Sequence, residues 1–222
     1  LTLYFISGLG ADERIFERLV LPRHFSIIHI HWIEPFQNES LADYSRRLWQ
    51  QVEKREPFVL IGLSFGGIVA IEIAKLHPPL QVVLISSISN IKELPITFRA
   101  MNAVKLYRLV PSAVMKIYNP VAVWWFGARS KREKELLASF LKQVSPSYLK
   151  WSIHQILNWQ QEERLPKVFH IHGTSDRIFF SRNTNADVVI PGGQHMMVHD
   201  KGKEVSEVMC LKLEELSKAD GY

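Results

Sequence analysis

The sequence has a single cysteine, Cys210, in 222 residues. No intramolecular disulfide can form, which favours a reducing, cytoplasmic setting. Cys210 lies among helix-forming residues and reads as a packed thiol rather than a nucleophile. No stretch reaches the roughly 18 uninterrupted apolar residues that a membrane-spanning helix needs. The opening Leu1-Thr2-Leu3-Tyr4-Phe5-Ile6-Ser7-Gly8 has no basic region and meets glycine early, so no signal peptide is expected. There is no internal repeat and no low-complexity tract. Nothing resembles a nucleic-acid module in spite of the net charge of +5, so nucleic acid is not an expected partner. With 47% hydrophobic and 22% charged residues, disorder is excluded as well. The length suits one domain, with room for an insertion.

What is present is organised around residues 57–69. Four apolar residues, Phe58-Val59-Leu60-Ile61, run into Gly62-Leu63-Ser64-Phe65-Gly66-Gly67, and an apolar, helix-compatible run follows from Ile68 to Leu76. This reads as strand, tight turn, helix. The chain must turn sharply, so positions flanking the serine cannot carry crowding side chains. Ser64 is then held out at the carboxyl edge of a sheet, and the helix after it offers free N–H groups to developing negative charge. The pattern is the G-x-S-x-G nucleophile elbow.

Around it, strands and helices alternate. Leu3 to Ile6 reads as a buried strand, followed by the turn Ser7-Gly8-Leu9-Gly10. Asp12 caps an expected helix carrying Ile15, Phe16, Leu19 and Val20. A strand over Phe25 to Ile30 ends at His31-Trp32, and Ser40 to Val52 is helical. His77-Pro78-Pro79 ends the helix after the elbow. The next strand, Gln81 to Ile85, runs into Ser86-Ser87. Such alternation predicts an α/β fold, a mostly parallel sheet of roughly six strands with helices on both faces. Ligands in such sheets bind at the carboxyl ends of the strands.

From about residue 90 to 165 the alternation stops. Thr97 to Val110, Ser112 to Phe126, Lys131 to Val144 and Ser147 to Trp159 are the expected helices of an inserted cap over the sheet rim. Alternation resumes with a strand over Lys167 to His172, leading into Gly173-Thr174-Ser175-Asp176. A short strand over Asp187 to Ile190 leads into Pro191-Gly192-Gly193-Gln194-His195, and a helix over Lys203 to Leu216 closes the domain. The order Ser64, Asp176, His195 is nucleophile, acid, base, each just past a strand end. A serine hydroxyl is too weakly acidic to attack unaided. A histidine takes its proton, and a buried carboxylate fixes the tautomer of that histidine.

On these residues the chain resembles the α/β-hydrolase fold superfamily, in a small, carboxylesterase-like form. The resemblance spans nearly the whole of 1–222, with 90–165 as the variable cap. It rests on the elbow, on His172-Gly173-Thr174-Ser175-Asp176, and on Gly193-Gln194-His195. The turn Ser7-Gly8-Leu9-Gly10 is similar to the family's His-Gly oxyanion turn, with Ser7 where histidine is usual. The resemblance implies that the oxyanion hole is made by the backbone N–H groups of Leu9 and Phe65. It also implies attack on an ester or thioester carbonyl, with no metal and no cofactor. The paired histidines His29/His31 and His170/His172 lack a carboxylate–histidine constellation and read as packed or partly buried rather than ligating.

The cap is expected to choose the substrate. It holds four of the six tryptophans, and an aromatic-rich cap favours an apolar acyl or alcohol group. Trp32, Met101, Trp124, Trp125 and Trp159 are the candidate substrate contacts. Residues 91–165 carry 12 Lys/Arg and 5 Asp/Glu, net +7, which leaves the remainder of the chain at −2. The charge suits either a solvated basic surface, an anionic substrate such as an acyl-CoA, or contact with an anionic membrane surface. Two other readings keep the same residues. One is a ligand-binding or sensing protein without turnover; the other is a lyase or carbon–carbon hydrolase.

Overall fold

The computed structural model of the protein describes residues 1–53, 56–105 and 112–219. Six strands form one sheet: β1 (Thr2–Ile6), β2 (Ser26–Ile30), β3 (Phe58–Leu63), β4 (Gln81–Ile85), β5 (Val168–Gly173) and β6 (Val188–Ile190). Their order is β2-β1-β3-β4-β5-β6, and every pairing is parallel. β1, β3 and β4 are buried along their whole length. Continuous apolar strands of this kind need cover on both faces. Leu3, Phe5, Val59, Ile61, Val83 and Ile85 face one core, while Tyr4, Ile6, Leu60, Val82 and Leu84 face the other. The period-two alternation of strand side chains makes this division.

Helices α1 (Leu41–Trp49) and α2 (Phe65–Leu76) cover the Tyr4 side. Ser40 caps α1 by accepting the N–H of Asp43 at 3.1 Å. The long final helix (Gly202–Ala219) covers the Leu3 side through Val205, Met209 and Leu213. Among the described residues no helix is long and apolar enough to cross a membrane.

The segment between β4 and β5 is helical: α3 (Ile96–Ala103), α4 (Ser112–Met115), α5 (Pro120–Phe126), α6 (Lys131–Gln143) and α7 (Pro146–Leu157). Three expectations about helices need correction. Ser112 to Phe126 is two helices, because Asn119 caps a new one by accepting the N–H of Ala122 at 2.9 Å. Pro120 then occupies the first helical position, where its missing N–H costs nothing. The helix expected after Asp12 is a single 3-10 turn, Glu13–Phe16, and Val20 lies 75% exposed beyond it. The helix expected from Thr97 to Val110 begins at Ile96 and stops at Ala103, where the Val104 N–H donates to Ala100 O at 3.3 Å; residues 106–110 lie outside the described residues.

Candidate active site

The elbow forms because its glycines let backbone meet backbone. A Cβ on Gly62 would lie 2.4 Å from Gly67 Cα, and one on Gly66 would lie 2.3 Å from the carbonyl oxygens of both Ile6 and Ser7. Between them Ser64 adopts φ 53° and ψ −121°. For a residue with a side chain this conformation costs on the order of 1–3 kcal/mol. Neighbouring groups hold it there. The Ser64 N–H donates to Ile85 O at 2.9 Å, and its carbonyl accepts from the Ser87 hydroxyl at 2.6 Å and the Gly67 N–H at 2.9 Å.

Two further strand ends bring the partners. Asp176 stands in the turn after β5, and His195 in the loop after β6. These loops also meet through backbone: Ser175 N–H donates to Gly193 O at 2.9 Å, and a Cβ on Gly173 would clash with that same oxygen at 2.3 Å. His195 Nδ1 lies 2.8 Å from Asp176 Oδ2, and His195 Nε2 lies 2.8 Å from Ser64 Oγ. A carboxylate only accepts, so Nδ1 carries the proton and Nε2 is free to accept from the serine hydroxyl. Asp176 Oδ1 accepts the N–H groups of Ile178 and Phe179 at 2.8 and 3.0 Å. Burial pushes the Asp176 carboxyl up, but the neighbouring imidazoles and these hydrogen bonds outweigh it and hold the group below its usual value. The three residues named from the sequence are thus brought into one hydrogen-bonded chain.

Leu9 and Phe65 flank the same point. Phe65 opens α2, and a Cβ on the adjacent Gly8 would lie 3.6 Å from Ser64 Cβ. Among the described residues no protein acceptor takes the N–H of either Leu9 or Phe65. Trp32 braces their turn: its indole N–H is shared between Ser7 Oγ at 3.0 Å and Gly8 O at 3.1 Å. Ser7 in turn donates to Ala11 O at 2.7 Å.

A cavity of about 460 Å³ opens from Ser64 and His195 into the cap. Its walls include Phe98, Met101, Trp125, Ile153, Ile156 and Phe179, and almost all of the lining is apolar. Of the five residues expected to touch substrate, Met101 and Trp125 line this cavity. The other three do not. Trp32 faces a separate, more polar groove beside β1 and β2. Trp124 is 60% exposed, with the Arg177 guanidinium 4.7 Å above its ring. Trp159 is buried because its indole N–H donates to Glu72 at 2.7 Å, anchoring the end of the cap on α2.

One feature was not read from the sequence. Arg177 joins the cap to the base loop, donating to Trp124 O at 2.8 Å and Gln194 Oε1 at 2.9 Å. A cation next to the acid was its only signal. Behind Asp176 lie His170 and His172, both fully buried. His172 Nε2–H donates to Phe179 O at 2.7 Å, so its Nδ1 accepts from His170 Nε2 at 3.1 Å. Burial lowers both histidines below the ordinary value and keeps them neutral. The pair on β2 behaves differently: His29 is half-buried, while His31 lies past the strand end with an exposed ring. Among the described residues no cluster of three or more His, Cys, Asp or Glu is arranged to hold a metal ion.

No curated protein matches the chain significantly. Many solved structures share its fold. A bromoperoxidase from Bacillus anthracis is 17% identical, with 96% of this chain and 91% of that one covered at a TM-score of 0.67. An esterase from Thermogutta terrifontis is 15% identical, with 97% and 90% covered at 0.62. An epoxide hydrolase from Bacillus megaterium is 13% identical, with 96% and 93% covered at 0.64. The profile of the alpha/beta hydrolase family matches residues 4–208. That match takes in most of β1, the other five strands, the elbow, the turn that holds Asp176 and the loop that holds His195, and the chain belongs to the alpha/beta hydrolase family.

Proposed function

We propose that the protein is a serine hydrolase that cleaves carboxylic esters or thioesters with a small or medium apolar acyl or alcohol group. One observation carries the reading: the chain Asp176–His195–Ser64, with contacts of 2.8 and 2.8 Å, ends on a hydroxyl that opens into an apolar cavity. In this reading Ser64 Oγ attacks the carbonyl carbon as its proton passes to His195 Nε2. The oxyanion accepts the N–H groups of Leu9 and Phe65; in related chemistry losing one such donor costs about 2.7–4 kcal/mol. His195 then gives its proton to the departing alkoxide or thiolate, leaving an acyl group on Ser64. Water, deprotonated by His195, attacks that acyl group, and Ser64 Oγ leaves with the proton. Asp176 stays ionised throughout and steadies the imidazolium. Phe126 and Phe179 stand edge-on to the His195 ring at 5.9 and 5.7 Å, keeping its surroundings apolar.

An esterase among the structures of the same fold is in keeping with this chemistry, although that likeness bears on fold alone. The test is labelling with a fluorophosphonate, with Ser64→Ala as control. Labelling of the parent and none of the variant is expected. A parent that stays unlabelled overturns the reading and leaves ligand binding without turnover. A chain-length series of p-nitrophenyl esters beside acyl-CoA thioesters then reads the leaving group and the depth of the cavity.

A further inference from the structure

Between Leu94 and Arg132 the chain carries seven lysines and arginines and no aspartate or glutamate. Among the described residues, the same stretch holds the largest concentration of exposed apolar side chains. Val114, Ile117 and Val121 are 52%, 50% and 66% exposed, and Tyr118, Trp124 and Trp125 also reach solvent. Val114, Ile117, Val121 and Trp125 are at once exposed and part of the cavity wall, so they form its mouth. Lys116 sits among them in the chain, and among the described residues no carboxylate lies within ion-pair distance of it. The cations at the far end are engaged elsewhere: Arg132 with Glu17 at 2.7 Å, and Arg129 with Asp200 at 4.0 Å.

We propose that this cavity mouth is a docking surface for an anionic lipid bilayer. Aromatic rings beside aliphatic side chains and cations, with no carboxylate between them, match the boundary between acyl chains and negatively charged headgroups. Tryptophan and tyrosine favour that boundary because each has an apolar body and one polar tip. The mouth itself argues for lipid over a protein partner. A protein seated on Val114, Ile117 and Val121 would seal the passage to Ser64, whereas a bilayer presents apolar chains to it. This last step rests on the hydrolase reading; the attraction of the surface to lipid does not.

The test uses the Ser64→Ala protein, so that vesicles are not consumed, and sedimentation with vesicles of phosphatidylcholine alone or with phosphatidylglycerol mixed in. Binding is expected to the mixed vesicles, to weaken as salt rises, and to shift tryptophan emission to the blue. Lys116→Ala is expected to weaken it roughly fivefold, the ratio that about 1 kcal/mol per surface cation corresponds to. The double variant Tyr118→Ser/Trp124→Ser, with unchanged circular dichroism, is expected to bind more weakly still. In the Ser64 background that double variant keeps its rate on a soluble short-chain ester. Three results overturn the proposal: no sedimentation with the mixed vesicles at low salt, equal binding by the double variant, or a lipid-free dimer that the double variant abolishes. Fluorophosphonate labelling reads the hydrolase separately, so each reading can fail without the other.

Discussion

Replacing Gly66 by alanine tests whether the elbow and the turn after β1 are keyed to each other through backbone. The new Cβ would stand 2.3 Å from Ile6 O and Ser7 O and 2.8 Å from Ile6 C, where ordinary contact begins near 3.4 Å. All three atoms are backbone, so no side chain can swing away. The start of α2 and the end of β1 must separate by about 1 Å, and a displacement of that size at a reacting centre can cost on the order of 100-fold in rate. That corresponds to about 2.7 kcal/mol of transition-state stabilisation. Strain in the native state adds a stability loss of about 1–3 kcal/mol, as for other overpacked cores. The assay is kcat/KM on p-nitrophenyl butyrate with thermal unfolding in parallel. Gly67→Ala provides the contrast. Its Cβ meets the Ser87 side chain, with Oγ at 2.4 Å and Cβ at 2.7 Å, so adding Ser87→Gly should recover part of its loss. No second side-chain change should rescue Gly66→Ala. A Gly66→Ala protein with parental unfolding temperature and a rate within about threefold of the parent, against the 100-fold expected, would refute the reasoning.

Trp32→Phe keeps a ring beside Phe65, whose centroid lies 5.6 Å away, but removes the N–H shared by Ser7 and Gly8. Steady-state kinetics should show kcat falling while KM holds, because the turn loses its brace and the cavity keeps its walls; a change confined to KM would return Trp32 to the substrate pocket. Trp159→Phe should cost about 1–3 kcal/mol in urea unfolding, since the buried Glu72 loses a donor, and should leave the chain-length profile of ester hydrolysis unchanged. Stability should also fall as pH drops below 6.5. The unfolded chain protonates its histidines near that value, whereas His170 and His172 are held neutral to lower pH by burial. The unfolded state therefore binds more protons, and stability declines by up to about 1.4 kcal/mol per pH unit for each histidine until the folded values are reached. Urea unfolding between pH 7 and 5, about two units around the usual histidine value, reads the slope. It should be shallower in His170→Leu, and an unchanged slope would show that this residue does not supply it.

Sheet, elbow and the order of the three polar residues were legible because local signals carry them. Apolar runs of strand length end in glycine turns, and a parallel sheet collects those turns at one rim. The cap was less legible. Residues 112–126 look like one amphipathic run, and only the pair Asn119-Pro120 marks the new helix start. Composition could not separate tryptophans that wall the cavity from those that do not. Trp125 and Trp124 are adjacent in sequence, yet one lines the cavity and the other lies under Arg177. Trp159 was drawn to the core by a carboxylate on a helix 87 residues earlier, and no local pattern reports a partner so distant. Trp32 shows the same limit: its position at a strand end was visible, but its direction toward Ser7 was not.

The route by which the cap leaves and rejoins the sheet has a practical consequence. β4 and β5 are direct neighbours, so everything between them is one long crossover whose two ends are fixed by strands already paired. Ser64, Asp176 and His195, like Leu9 and Phe65, all lie outside it. On the proposed function, most of the cavity wall is thereby carried on a different length of chain from the reacting groups. A helical segment transplanted from another family member would have to enter after Ser87, whose hydroxyl holds the Ser64 carbonyl, and leave before Lys167, whose carbonyl accepts the Val82 N–H. The seam such a graft must respect includes a donor in the place of Trp159 for Glu72, groups that meet Arg177 where the Trp124 carbonyl does now, the Arg132–Glu17 pair, the Trp151 donor to Glu39 O, and the core side chains Leu136, Leu137 and Phe140.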